Sequence, residues 1–285
     1  VMFTSDNFNK YPEAAALLEA MAAERIRLPF FVQCDTQVER QEGLVALLAR
    51  AGCFQVFVGA ESFSREALKA AHKLQNHPER YARILDLCRA HGITVHFSSI
   101  LGFPTDTEET VLEHLARLRE LDPDLSSFYV LTPIPGTDQY ADFRERGWIT
   151  EGNLDRFDGA CVTWRHPNLA PGRWTDLLRR SYREVSGAGP VARRLGRALR
   201  SRWDYRMPGK LLSIAGYALQ SRLAVRAGAH PMAGGIGRVR RDGVADYAHL
   251  RRRTWGFDLA PLPDNLALSP ADEELNRRAK LRVAG

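Results

Sequence analysis

The chain has 285 residues, 45% of them hydrophobic and 26% charged, with a net charge of +6. That size and apolar share fit one large domain or two smaller ones with a true core, and they exclude a disordered or fibrous polymer. No apolar run is long enough to span a bilayer and no signal peptide is visible.

Residues 1–5 read as an apolar strand, followed by an Ala- and Leu-rich helix over 13–24. Residues 30–34 are the next strand, with Pro29 tolerated at its start. The helix over 42–51 sets Leu44, Leu47 and Leu48 on one face, and Gly52 stops it. A buried strand over 53–59 precedes helices over 64–72 and 78–91. Then come a strand over 93–101, a helix over 107–121 capped by Thr107 or Asp106, a strand over 125–131 and a short helix over 138–146. Five near-continuous apolar strands alternating with helices predict a parallel sheet covered on both faces. After residue 150 the rhythm stops. Residues 152–171 look loop-like, 174–185 helical, and 191–203 a basic helix broken off by Pro208. Residues 211–227 form an amphipathic stretch with Leu211, Leu212, Ala215, Ala218, Leu219 and Leu223 on its apolar face. Beyond His230 the chain has little periodicity and is expected to be irregular.

Charge is unevenly spread. From Gly189 onward there are 19 Lys and Arg against 8 Asp and Glu, so a mildly acidic front precedes a strongly basic tail. The bland explanation is a solvated arginine face. The functional ones are an acidic partner or an anionic membrane met by the 193–206 arginines and the stretch after them. Nucleic acid is disfavoured, because no aromatic platform or recognition helix accompanies Arg193, Arg194, Arg197, Arg200 and Arg202.

Polar residues gather where each apolar strand stops: Thr4 to Phe8, Gln33 to Asp35, Gly59 to Ser62, Ser98 to Pro104, and Pro133 to Thr137. Any one of them has an ordinary explanation, such as Asp6 capping a helix or Gly102 permitting a turn. Five strand ends delivering polar groups to one rim point to a cavity for a polar small molecule.

Five pieces in order carry a resemblance: Phe3-Thr4-Ser5-Asp6-Asn7-Phe8, Leu47-Leu48-Ala49-Arg50-Ala51-Gly52, Gly59-Ala60-Glu61-Ser62, the run from Ile100 through Gly102-Phe103-Pro104 to Glu109, and Pro133-Ile134-Pro135-Gly136-Thr137. Over residues 1 to about 150, this order resembles the radical S-adenosylmethionine (SAM) superfamily, in the branch with a cobalamin-binding domain. The resemblance implies an α/β fold: a partial (β/α) radical SAM barrel over 1–150 lacking its first strand and cluster loop, then a basic, mainly helical and irregular region over 151–285. It also implies site roles. Asp6 would sit near the SAM amino group, and Glu61 with Ser62 would meet the amino-acid or ribose end. Lys73 would face the SAM carboxylate and Ser98 a ribose hydroxyl. Gly102 and the segment with Pro133 and Gly136 would let backbone approach the adenine. The alternative for Glu61 is a salt bridge to Lys73 or Arg65.

A radical SAM enzyme needs three thiolates from a Cys-x3-Cys-x2-Cys loop to hold a 4Fe–4S cluster. The four cysteines, Cys34, Cys53, Cys88 and Cys161, have no such spacing and no disulfide pattern, so a reducing cytoplasm is the expected compartment. Cys53 and Cys88 read as core residues, whereas Cys34 at a strand end could face the cavity. No metal ligand is expected in this chain, and Val1 inside an apolar run reads as a fragment or split product. SAM, a 4Fe–4S cluster and cobalamin are the implied cofactors, the latter two with ligands outside this chain. The expected function is the C-terminal part of a radical SAM enzyme, such as a cobalamin-dependent methyltransferase, inactive by itself. The alternative is a split or degenerate module that binds SAM or a partner without catalysis. The expected partners are an upstream half carrying the cluster loop, a small-molecule or lipid-like substrate, and a peripheral contact with the inner membrane face. The Trp164-Arg165-His166-Pro167 segment could line a substrate channel but reads better as a structural plug.

Overall fold

A computed structural model of the chain describes residues 1–4, 7–151, 156–201 and 203–237. Four strands form one parallel sheet in sequential order: β1 (Phe30–Cys34), β2 (Cys53–Glu61), β3 (Thr94–Leu101) and β4 (Leu125–Val130). Helices cross between them: α1 (Ala14–Ala23) precedes β1, and α2 (Glu42–Ala51) follows it. Then α3 (Arg65–Ala70) and α4 (Tyr81–Ala90) join β2 to β3, and α5 (Glu108–Leu121) joins β3 to β4. This α/β order is that of a (β/α) barrel segment. Its core is built from the runs that suggested strands, with Val32, Val56, Val58, Val95 and Phe97 fully buried. Each such side chain removed from water contributes roughly 1.5–3 kcal/mol.

The expected first strand is only a trace. Met2 makes a single parallel bridge to Phe31, supported by Phe31 N–H to the Val1 carbonyl (3.0 Å) and Phe3 N–H to the Phe31 carbonyl (3.1 Å). The pairing is where a strand before β1 belongs, but it does not extend into a ladder. Thr107 is the cap of α5: its Oγ1 accepts from the Thr110 N–H (3.3 Å), and Thr110 Oγ1 accepts from the Thr107 N–H (2.9 Å). Asp106 is thereby free for a different task at the end of β3.

After α6 (Asp138–Glu145) come α7 (Pro171–Val185), α8 (Ala188–Arg200) and α9 (Met207–Arg226). Pro171 opens α7 and Pro208 lies in the first turn of α9. A proline there costs no hydrogen bond, so Pro208 starts a helix where the sequence suggested a break. Helix α7 closes the open edge of β4. The Tyr182 hydroxyl accepts from the Phe128 N–H and donates to the Phe128 carbonyl, both at 3.0 Å. His230 Nδ1 accepts from the Met232 and Ala233 N–H groups. Its Nε2 therefore carries the proton and donates to the same Phe128 carbonyl at 2.7 Å. An edge strand needs such covering, and here side chains supply it.

The reading of a solvated arginine face is corrected for three of the four arginines of α8. Arg193, Arg194 and Arg197 converge on Asp122, and Arg197 also binds Asp124 at 2.7 Å. Arg206 is buried, pairs with Asp204 and donates to the Cys53 carbonyl. Helix α9 keeps part of its leucine face outward. It buries Lys210, Ile214, Ala218, Ser221 and Ala224, while Leu212 and Leu219 remain 74% and 59% exposed. Residues 238–285 of the expected irregular tail, and Arg202, lie outside the described residues.

Candidate functional site

The C-terminal ends of β2, β3 and β4 bring several of the predicted residues together. Strand β2 carries a register shift between Gly59 and Glu61, and Glu61 sits in the left-handed region at φ 63°. A carboxylate residue held there is strained, and such strain concentrates at functional positions. The bulge folds the side chain back over the strand: Glu61 Oε1 lies 2.7 Å from where a Cβ on Gly59 would stand. Gly59 is thus the residue that makes room for the carboxylate. Gly59 pairs with Ser98 on β3, which pairs with Ser127 on β4. Burial pushes the Glu61 carboxyl above its ordinary range, and the charge of Lys73 opposes the shift. No hydrogen bond or ion pair reaches that carboxylate among the described residues. The alternative partner Arg65 binds Glu79 and His77 instead. Tyr129, at the end of β4, completes the group. Burial raises its hydroxyl, Ser127 acts the other way and the Glu61 charge adds to the rise.

Asp6 lies outside the described residues. Ser62 is buried, accepts from the Ser64 N–H at 3.0 Å and turns the chain into α3. It lines a cavity of about 320 Å³ with Asp106, Thr110 and His114. Pro133 is buried, whereas Gly136 is exposed at φ 90° with open space around it. Their segment forms a turn, Thr137 N–H to the Ile134 carbonyl at 3.1 Å. Ile134 and Thr137 border a larger cavity of about 650 Å³, together with His72, Phe103, Pro104 and Trp148. That cavity joins the C-terminal end of α3 to the segments that follow β3 and β4.

Gly102 is explained by packing. Its φ is 88°, and the Trp174 indole occupies the place of a Cβ, 2.0 Å away. Asp106 Oδ2 accepts from the N–H groups of Gly102 and Phe103, both at 2.9 Å, which fixes this turn. Burial raises the Asp106 carboxyl to about 6, against those two hydrogen bonds. The Trp164 to Pro167 segment is a plug. Trp164 is fully buried and donates to the Leu131 carbonyl at 2.8 Å, while His166 Nδ1 accepts from Asn168 and Leu169 and its Nε2 donates to the Phe103 carbonyl.

The cysteines do not suit a cluster. Cys34, Cys53 and Cys88 are buried in the core, and burial pushes all three thiols up, Cys53 to about 12. A thiolate is what iron requires. Cys34 therefore packs inward and does not face the cavity. Among the described residues no group of three or more His, Cys, Asp or Glu is placed to hold a metal. The residues present do not fit a 4Fe–4S cluster, and no cobalamin ligand can be assigned among them.

Comparison with known proteins gives this rim its context. Residues 1–118 match the radical SAM superfamily. The likeness to that superfamily thus covers the part of the chain that carries β1, β2 and β3. The bacteriochlorophyllide d C-8(2)-methyltransferase of Chlorobaculum tepidum is 28% identical over 142 residues, covering 50% of this chain and 32% of that protein. The anaerobic magnesium-protoporphyrin IX monomethyl ester cyclase of Rubrivivax gelatinosus is 27% identical over 148 residues, covering 52% and 26%. A solved structure of the radical SAM methyltransferase TsrM from Kitasatospora setae, with cobalamin and a 4Fe–4S cluster bound, is 27% identical. It covers 53% of this chain and 30% of that one, with a TM-score of 0.46. The chain thus spans about a third of the length of the relatives it matches.

The motif order indicated Glu61, Ser98 and Lys73. Tyr129 and Ser127 were missed, because they lie within the strand and before the Pro133 segment that drew attention. Strand alternation could have found them, since they share a face with the strand-end residues of β2 and β3.

Proposed function

We propose that the rim formed by Glu61, Lys73, Ser98 and Tyr129 binds SAM, as the portion of a radical SAM enzyme that holds the organic half of the molecule. Asp6, Ser62, Gly102, Pro133 and Gly136 belong to the same reading, Gly102 through its backbone and the turn it forms. The observation that carries it is the Glu61 carboxylate: half-buried, strained, without a hydrogen-bond donor among the described residues, and placed at a strand end inside the stretch that matches the radical SAM superfamily. A carboxylate in that state calls for a cationic or strongly donating ligand. The amino group and ribose hydroxyls of SAM supply both.

In this reading an upstream half would hold the 4Fe–4S cluster, which would supply the one electron that splits SAM into methionine and an adenosyl radical, while the residues of this chain hold and orient SAM. The reaction would be a cobalamin-dependent methylation of a small-molecule or lipid-like substrate, a class supported by the methyltransferase relatives. Residues 1–150 would form the barrel portion and 151–285 the basic accessory region. The chain would work in the cytoplasm, in peripheral contact with the inner membrane face. A second reading, a SAM-binding module without catalysis, is favoured only by the lack of cluster ligands and shares the same rim.

Equilibrium dialysis of labelled SAM against the folded chain tests it. Glu61→Ala should weaken binding about ten- to a hundredfold, the loss of one charge-assisted hydrogen bond. Equal SAM affinity in the wild type and Glu61→Ala would remove Glu61 from the site.

A further inference from the structure

Of the arginines that sequence reading singled out for a membrane, Arg193, Arg194, Arg197 and Arg206 are engaged by carboxylates of the protein, yet another group is not. The segment Arg25-Ile26-Arg27-Leu28 leads into β1 and is exposed along its whole length, with Ile26 and Leu28 at 44% and 41%. It adjoins the turn between α8 and α9. The Leu28 carbonyl and the Tyr205 hydroxyl both crowd the point where a Cβ on Gly52 would stand, at 2.8 and 2.6 Å. The charge of Arg27 also lowers the Tyr205 hydroxyl against the effect of its burial. On that turn Trp203 is 66% exposed and Tyr205 38%, with the Trp203 ring held by its N–H to the Leu199 carbonyl at 2.8 Å.

The charges around these side chains are predominantly positive. Arg25, Arg27 and Arg200 are exposed and form no ion pair among the described residues, in contrast to Arg193, Arg194, Arg197 and Arg206. Asp204 is neutralised by Arg206, and Glu24 is the acidic neighbour at the border. Exposed Trp and Tyr beside aliphatic side chains and unpaired arginines suit the boundary between acyl chains and charged headgroups. The rings prefer that depth, and the guanidinium groups meet phosphate.

We propose that this patch, at the N-terminal ends of the strands, docks the protein on an anionic phospholipid surface. The contact is peripheral: no helix among the described residues is long and apolar enough to cross a membrane. Docking by this end leaves the rim at the opposite, C-terminal ends of the strands open. The proposal deepens the membrane contact of the preceding reading by assigning it to a surface, and it does not depend on SAM.

Vesicle flotation with the full 285-residue chain decides it. Binding is expected to vesicles containing phosphatidylglycerol, not to phosphatidylcholine alone, and to weaken as salt rises. The double variant Arg25→Glu and Arg27→Glu should lose at least about tenfold in partitioning, since each cation near the surface is worth about fivefold. Trp203→Ser should also lose binding, whereas Leu219→Ser on the exposed face of α9 should not. All these positions are exposed, and thermal melts confirm that each variant is folded. Undiminished binding by the arginine variant, which retains every basic residue of the 238–285 segment, would overturn the assignment. So would equal binding to neutral vesicles, no binding at all, or a loss confined to Leu219→Ser. Vesicle binding that fails while SAM binding persists would refute the patch alone.

Discussion

Helices α7 and α9 both follow the sheet and both repeat apolar residues at helical spacing, but they turn them in opposite directions. Helix α7 turns Trp174, Leu177, Leu178 and Val185 onto the sheet and α5, and Tyr182 onto the β4 edge. Helix α9 sets small and polar residues inward, Ser221 and Lys210 among them, and leaves Leu212, Leu219 and Leu223 outside. Apolar periodicity tells which face of a helix avoids water. It names the protein core as the partner only when that face is the one this chain covers.

The contrast can be broken most forcefully on the α7 side. Gly102→Val places a branched side chain where the Trp174 indole lies and at a φ that glycine alone tolerates well. It should destabilise by more than about 4 kcal/mol, read as a collapse of the urea midpoint. The reciprocal Trp174→Ala should cost about 3–5 kcal/mol.

Next in size is the arginine network that anchors α8. Burial alone would raise the Asp122 carboxyl, but hydrogen bonds from Arg193 and Arg197 and the charge of Arg194 hold it well below the usual range. A depressed carboxylate contributes fully above its unfolded value near pH 4, and that contribution is lost as pH falls through the folded pKa. Arg194→Met should cost about 3 kcal/mol at neutral pH and shift acid unfolding upward in pH.

A smaller effect, of opposite sign, belongs to Asp106. Its folded pKa is raised to about 6, so its contribution is most favourable below the unfolded value near 4 and declines as pH rises through 6. Asp106→Asn retains an acceptor for the Gly102 and Phe103 N–H groups. Relative to wild type it should gain about 1–2 kcal/mol between pH 5 and pH 8 in chemical denaturation. An unchanged pH dependence would mean the carboxyl is ordinary.

The smallest effect is expected on the outer face of α9. Leu219→Gln should change stability by no more than about 0.5 kcal/mol, as for other exposed sites. A loss of 2 kcal/mol or more would mean that this face is covered within the chain.

Much of the fold was legible because parallel strands buried on both sides read as apolar runs. The runs at Phe30–Cys34 and Cys53–Glu61 need no knowledge of their neighbours to be recognised. The first strand was overread, since an apolar run says nothing about how much of it finds a partner, and Met2 finds one residue. At the site, Glu61 was legible from its place after a glycine at a strand end. Its strained φ and the fold-back over Gly59 come from a bulge, which leaves no composition signal. Arg193, Arg194 and Arg197 were misjudged because their partners, Asp122 and Asp124, lie about seventy residues earlier.

The most direct test of the central claim, that the strand-end rim holds SAM, is hydrogen exchange with and without the ligand. The account predicts slower exchange in peptides covering 59–73, 96–104 and 127–137, with no change in α8 and α9, and loss of that protection in Glu61→Ala. Protection spread over α8 and α9, or none at 59–73 while SAM is demonstrably bound, would contradict it.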